Sequence, residues 1–94
     1  MNTEPTRVEA SPGPVDIDLG EAGTGGYRWF AATLPDGVAS LGDDFDHAAD
    51  GSGRRRFHLR IDAAGTYGVD FQLRRPWETR PIDERRFEVV VTAG

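Results

Sequence analysis

The chain has 94 residues, a formal net charge of −5 and no cysteine. A length of this order suits one domain, expected over residues 1–94, with a thin core. The missing cysteine excludes a disulfide frame, a thiolate metal site and a thiol nucleophile, and the negative charge argues against nucleic acid or an anionic membrane as partner.

Twelve glycines and six prolines punctuate the sequence, which favours short strands joined by turns over long helices. Residues 1–14 carry no apolar run behind a basic start, and no stretch is apolar enough to cross a bilayer. The sequence as written therefore reads as cytoplasmic, although a chain trimmed of its export signal would look the same. Residues 1–5 are expected to lack fixed structure.

A weak strand is expected at 7–10, before a turn at 11–14. Residues 15–19 alternate apolar and polar without exception and predict a half-buried strand. A loop with four glycines spans 20–26. Residues 27–34 follow as a strand apolar on both faces, which predicts a central position. Pro35-Asp36-Gly37 reads as a turn with proline at its first central position. A short strand at 38–41 leads into a long acidic loop, 42–53, without apolar periodicity. In the strand at 54–62, Phe57, Leu59 and Ile61 point inward and Arg56, His58 and Arg60 outward. After a turn at 63–65, the strand at 66–74 has Tyr67, Val69, Phe71 and Leu73 on one face. A loop with two prolines covers 75–83, and the strand at 84–92 closes the chain.

About seven short strands at this spacing predict an all-β, immunoglobulin-like β-sandwich. Asp62 to Tyr67 reads as a tyrosine corner, and Trp29 falls on the third strand, where such sandwiches bury a tryptophan. If successive strands run antiparallel, the loops at 20–26, 42–53 and 75–83 share one end. They hold the unusual residues, whereas the turns at the other end are short. That arrangement points to a binding module whose loops meet a partner.

Thr24, Gly25 and Gly26 lead into Tyr27-Arg28-Trp29, where glycine permits close backbone approach to a partner. The same pattern also fits a flexible loop feeding core aromatics. Asp50-Gly51-Ser52-Gly53 forms the tip of the long loop and reads as a mobile link or as a backbone surface. Arg75-Pro76-Trp77 places a tryptophan off any strand period, a residue type enriched at interface hot spots. The alternative folds Trp77 back over the end of the sandwich. Asp43, Asp44, Asp46, His47 and Asp50 lack the glycine and glutamate of a calcium loop and read as solvated. No serine or threonine stands in a triad pattern, so no enzymatic activity, metal or cofactor is expected.

Taken in order, the three loop motifs resemble the chagasin-type inhibitors of papain-like cysteine peptidases. The resemblance runs from about Val15 to Thr92. The family's Asn-Pro-Thr-Thr-Gly-aromatic-x-Trp corresponds to Ala22-Gly23-Thr24-Gly25-Gly26-Tyr27-Arg28-Trp29. Its Gly-x-Gly-Gly corresponds to Asp50-Gly51-Ser52-Gly53, followed by Phe57-His58. Its Arg-Pro-Trp is present intact as Arg75-Pro76-Trp77. The departures are Ala22-Gly23 for Asn-Pro, Gly25 for the second threonine, and Asp50 for the first glycine of the second loop.

The resemblance implies an immunoglobulin-like fold and tight, reversible blockade of a papain-like cysteine peptidase; the free protein is expected to be a monomer. It implies that Thr24 sits at the catalytic cysteine, flanked by Gly25 and Gly26. Gly51, Ser52 and Gly53 would line one side of the cleft, and Arg75, Pro76 and Trp77 the other. Trp77 would pack on an aromatic residue of the primed side. A sandwich adaptor that binds a non-peptidase protein through the same loops is the alternative from another class.

Overall fold

A computed structural model describes residues 5–22, 25–48 and 52–93. The expectations for residues 1–4, and for Gly23, Thr24, Asp50 and Gly51, lie outside the described residues.

Seven strands form two sheets: β1 (Thr6–Ala10), β2 (Gly13–Gly20), β3 (Arg28–Thr33), β4 (Val38–His47), β5 (Gly53–Ile61), β6 (Gly65–Arg74) and β7 (Asp83–Val91). One sheet has the order β1-β7-β6-β3 and the other β2-β5-β4. The β1–β7 pair is parallel and the other pairs are antiparallel. This is the expected all-β sandwich.

The core comes from the inward set of each alternating strand. Val15, Ile17 and Leu19 of β2 and Phe57, Leu59 and Ile61 of β5 meet Trp29, Val69, Phe71, Val89 and Val91 of the other sheet. The Phe57 and Phe71 rings close the gap between sheets at 4.7 Å between centroids. Burying a side chain of this class stabilises the fold by roughly 1.5–3 kcal/mol.

At the end bearing the short turns, the Tyr67 hydroxyl donates to Ala63 O at 2.9 Å, which completes the expected tyrosine corner. Val38 N donates to Pro35 O at 3.2 Å, so Pro35 opens this turn rather than taking its first central position. Asp36 and Gly37 are central instead. Gly37 has φ +91°, as the third residue of a type II turn requires.

Two strands differ from expectation. The strand at β3 lies at a sheet edge, not in the centre. Its outer apolar residue, Phe30, is covered by guanidinium groups: Arg74 lies 4.3 Å and Arg28 5.1 Å from the ring centroid. Cation–π contacts cover this outer face in place of a packed apolar layer.

The acidic stretch expected as a loop is the second half of β4, which pairs with β5 as far as His47↔Gly53. A bulge between Ser40 and Gly42 precedes it. Opposite charges on the facing strand hold this half in place, with Asp44 registered on Arg56 and Asp43 salt-bridged to Arg55. Apolar periodicity therefore carries no trace of it.

The outer face of β2-β5-β4 carries a three-strand rung. His58 Nδ1 lies 2.8 Å from Asp16 Oδ1 and its Nε2 lies 2.7 Å from Asp44 Oδ2. Only the imidazolium can donate from both nitrogens. The Asp44 bond, then the Asp16 bond, raise the His58 pKa above 6.5. A raised folded pKa gives stability that is full below the unfolded pKa and lost as pH rises through the folded value. On the acid side, the Arg56 hydrogen bond lowers the Asp18 pKa below 3.8, and that contribution is lost as pH falls through the depressed value. The melting temperature is expected to fall as pH is raised from about 6 to 8, and this fall should shrink in His58→Gln. Melts of both proteins across that range test it; equal slopes would remove His58 from the account.

Candidate functional site

The loops at 21–27, 48–52 and 75–82 connect β2 to β3, β4 to β5 and β6 to β7, and so leave the sandwich at one end. Their roots are joined by polar contacts. Trp29, 3% exposed, closes the first loop: its indole Nε1 donates to Gly20 O at 2.7 Å and its backbone N to Glu21 Oε1 at 2.8 Å. Glu21 N donates to Gly53 O at 3.0 Å, which ties the first loop to the root of the second. Within the second loop, Ala48 N donates to Ser52 O at 2.8 Å.

The Glu21 carboxylate is buried and receives Arg55 Nε at 2.8 Å and Nη2 at 2.9 Å. Arg55 Nη1 reaches Asp43 Oδ2 at 2.6 Å, and Arg28 Nη2 meets the same oxygen at 2.9 Å. The Glu21 hydrogen bond is the main reason that the Arg55 pKa is raised. Among the described residues, Arg28 Nε is the buried side-chain polar atom without a partner.

The first and third loops are also clasped. Arg75 Nε donates to Gly25 O at 2.9 Å, and its guanidinium lies 4.5 Å from the Tyr27 ring centroid. Gly25 and Gly26 have φ +79° and +77°, a region that side chains other than glycine's rarely adopt. The constraint at Gly26 is the backbone, since a Cβ there would make only an ordinary 3.7 Å contact with Trp77 Cη2.

Residues 75–78 form a tight turn closed by Glu78 N donating to Arg75 O at 3.0 Å. Pro76 holds the first central position, where its ring pre-sets φ. Arg74 Nη1 braces the turn from below by donating to Glu78 O at 3.0 Å and Pro76 O at 3.3 Å. On this turn Trp77 stands 75% exposed.

Gly25, Gly26, Ser52, Gly53, Arg75, Pro76 and Trp77 thus come together at one end. Two of them do other work than sequence suggests. Arg75 spends its side chain on Gly25, Tyr27 and Glu78. Gly53 begins β5, where a Cβ would collide with Cζ and Cε1 of Phe45 and lie 3.0 Å from Glu21 O. Gly53→Ala is expected to destabilise the fold by about 1–3 kcal/mol through overpacking. Phe45→Ala should restore part of that loss in the double variant, and denaturant titration of the three proteins would show it. Additive losses would exclude the collision.

Glu21, Phe45 and Arg55 were not legible as site residues. Glu21 and Phe45 lie in stretches that read as loops, whereas Arg55 shares the inward parity of Phe57, Leu59 and Ile61, which was the one signal the sequence offered.

The chagasin family of peptidase inhibitors, I42, matches residues 13–91. The chain belongs to this family. It is an inhibitor of cysteine peptidases, not an enzyme.

Solved structures agree on the fold of this chagasin-family chain. A cysteine protease inhibitor, EhICP2, from Entamoeba histolytica superposes with a TM-score of 0.73 at 20% identity, covering 94% of this chain and 87% of that one. Amebosin, solved in solution, gives a TM-score of 0.64 at 21% identity, covering 95% and 89%. No curated protein matches the sequence.

Proposed function

We propose that the chain blocks the active-site cleft of papain-like cysteine peptidases reversibly, as a monomer, with the loops at 21–27, 48–52 and 75–82. Thr24, Gly25 and Gly26 meet the catalytic cysteine. Gly51 and Ser52, with Gly53 shaping their root, follow one wall of the cleft, and Pro76 and Trp77 grip the other. Arg75 acts from inside the inhibitor, by holding the first loop to the third.

The observation that carries this reading is Trp77, 75% exposed on a turn braced by Arg74. A large aromatic on a braced turn has only two side-chain torsions to fix on binding and offers a large apolar face to a pocket. The glycine-rich first loop beside it presents backbone rather than side chains, which lets it approach a narrow cleft.

The test is titration of the protein against papain and cathepsin L with a small fluorogenic substrate. Competitive inhibition is expected, with the inhibitor intact by mass spectrometry after prolonged incubation. Full peptidase activity at saturating protein would remove these enzymes as targets. Cleavage within the first loop at substrate-like rates would overturn the blockade.

A further inference from the structure

The buried Glu21–Arg55 pair takes no direct part in the surface proposed above. One carboxylate, placed at the end of one strand, nevertheless reaches two others. Glu21 follows directly on β2, accepts from Trp29 N of β3, and receives two nitrogens of Arg55 from β5. Arg55 extends the network to Asp43 of β4, and Asp43 to Arg28 of β3. Every strand that bears an end of the first or second loop contributes to it.

Glu21 and Arg55 have side chains only 4% and 11% exposed. Removing such charges from water offsets much of their mutual attraction, so a buried pair adds little net stability over an apolar pair of similar size. Direction is what it does add. A fork-to-fork contact between guanidinium and carboxylate is satisfied in one relative orientation, whereas apolar side chains can slide and repack.

We propose that Glu21 and Arg55 are positioning residues, which hold the first loop in one orientation against the second, and that inhibition depends on this orientation more than stability does. The inference rests on the reading that these loops bind the peptidase.

The decisive variant is Glu21→Gln with Arg55→Met. It keeps an oxygen acceptor for Trp29 N, removes one charge of each sign, and leaves the Arg28–Asp43 pair balanced. Its melting temperature is expected to stay close to the parent's. Papain inhibition should weaken by about tenfold or more, through faster dissociation. Amide exchange should speed up at Gly25, Gly26, Tyr27 and Gly53 and stay slow at Val69 and Val89.

Ile61→Val serves as the control. Ile61 pairs with Gly13 and Val38, at the end away from the loops, and this change should lower the melting temperature without altering inhibition. If the double variant melts early, its inhibition is compared with that of Ile61→Val well below both transitions, where only a positioning role predicts a difference. Parent-like inhibition and exchange in the double variant would overturn the proposal. Should the parent itself fail to inhibit papain, the functional reading falls for that enzyme. The exchange measurement then decides the inference alone: faster loop exchange supports it, and unchanged exchange overturns it.

Discussion

Replacing Trp29 by alanine is expected to destabilise the fold by about 3–5 kcal/mol. The side chain is 3% exposed in the core, so its removal leaves a large void between the sheets. Gly20 O loses its indole donor at the same time. For a domain of this size the melting temperature should drop by roughly 12–40 °C. Small domains hold only about 5–15 kcal/mol in total, so part of the population could unfold at ordinary assay temperature. Trp29→Phe separates the two losses, because it restores most of the volume but not the indole N–H. It should recover more than half of the stability and still leave the first loop less firmly closed. Chemical denaturation of the three proteins measures this. A Trp29→Ala protein that is fully stable but inactive would place Trp29 on the binding surface instead.

Trp77→Ala should produce the opposite pattern. Binding to a papain-like enzyme is expected to weaken by about 2 kcal/mol or more, on the order of 30-fold in the inhibition constant. Stability should change by no more than about 0.5 kcal/mol, as for other exposed positions. The reason is geometric: Trp77 is 75% exposed, and the turn beneath it is held by backbone bonds and by Arg74. Truncating the ring therefore removes contact area without removing the support. Trp77→Phe should fall between the two. The informative comparison pairs inhibition constants with melts for each variant. A large loss of stability with unchanged inhibition would mean that the indole packs on the sandwich.

Much of the fold could be read from local pattern. Val15, Ile17 and Leu19, then Phe57, Leu59 and Ile61, alternate with polar residues, and all six are buried. The tyrosine corner was legible because its hydrogen bond spans only four positions, from Tyr67 to Ala63. The loop end followed from strand direction alone, since alternate connections of an antiparallel sandwich emerge on the same side. Arg75-Pro76-Trp77 stood out because a tryptophan beside a proline fits no strand period.

What failed to show was whatever depends on a partner distant in the chain. The second half of β4 looked like a solvated loop because Asp43, Asp44 and Asp46 carry no apolar period. Its pairing rests on charges of β5, such as Arg55, twelve positions from Asp43. β3 seemed central because both of its faces are apolar, and only the folded chain brings Arg74 over Phe30. Glu21 is the plainest case. It follows β2 at the start of a glycine-rich loop, where an acid is ordinarily hydrated, yet its carboxylate is buried against Arg55, 34 positions away. Alternation along one strand is a property of neighbouring residues, so the sequence by itself determined the alternating strands and the core they bury, and its loop motifs pointed to the family. The burial of a charge depends on what distant segments of the chain bring to it, here Arg55 from the neighbouring strand β5, and only the tertiary structure decided how the three loops are held.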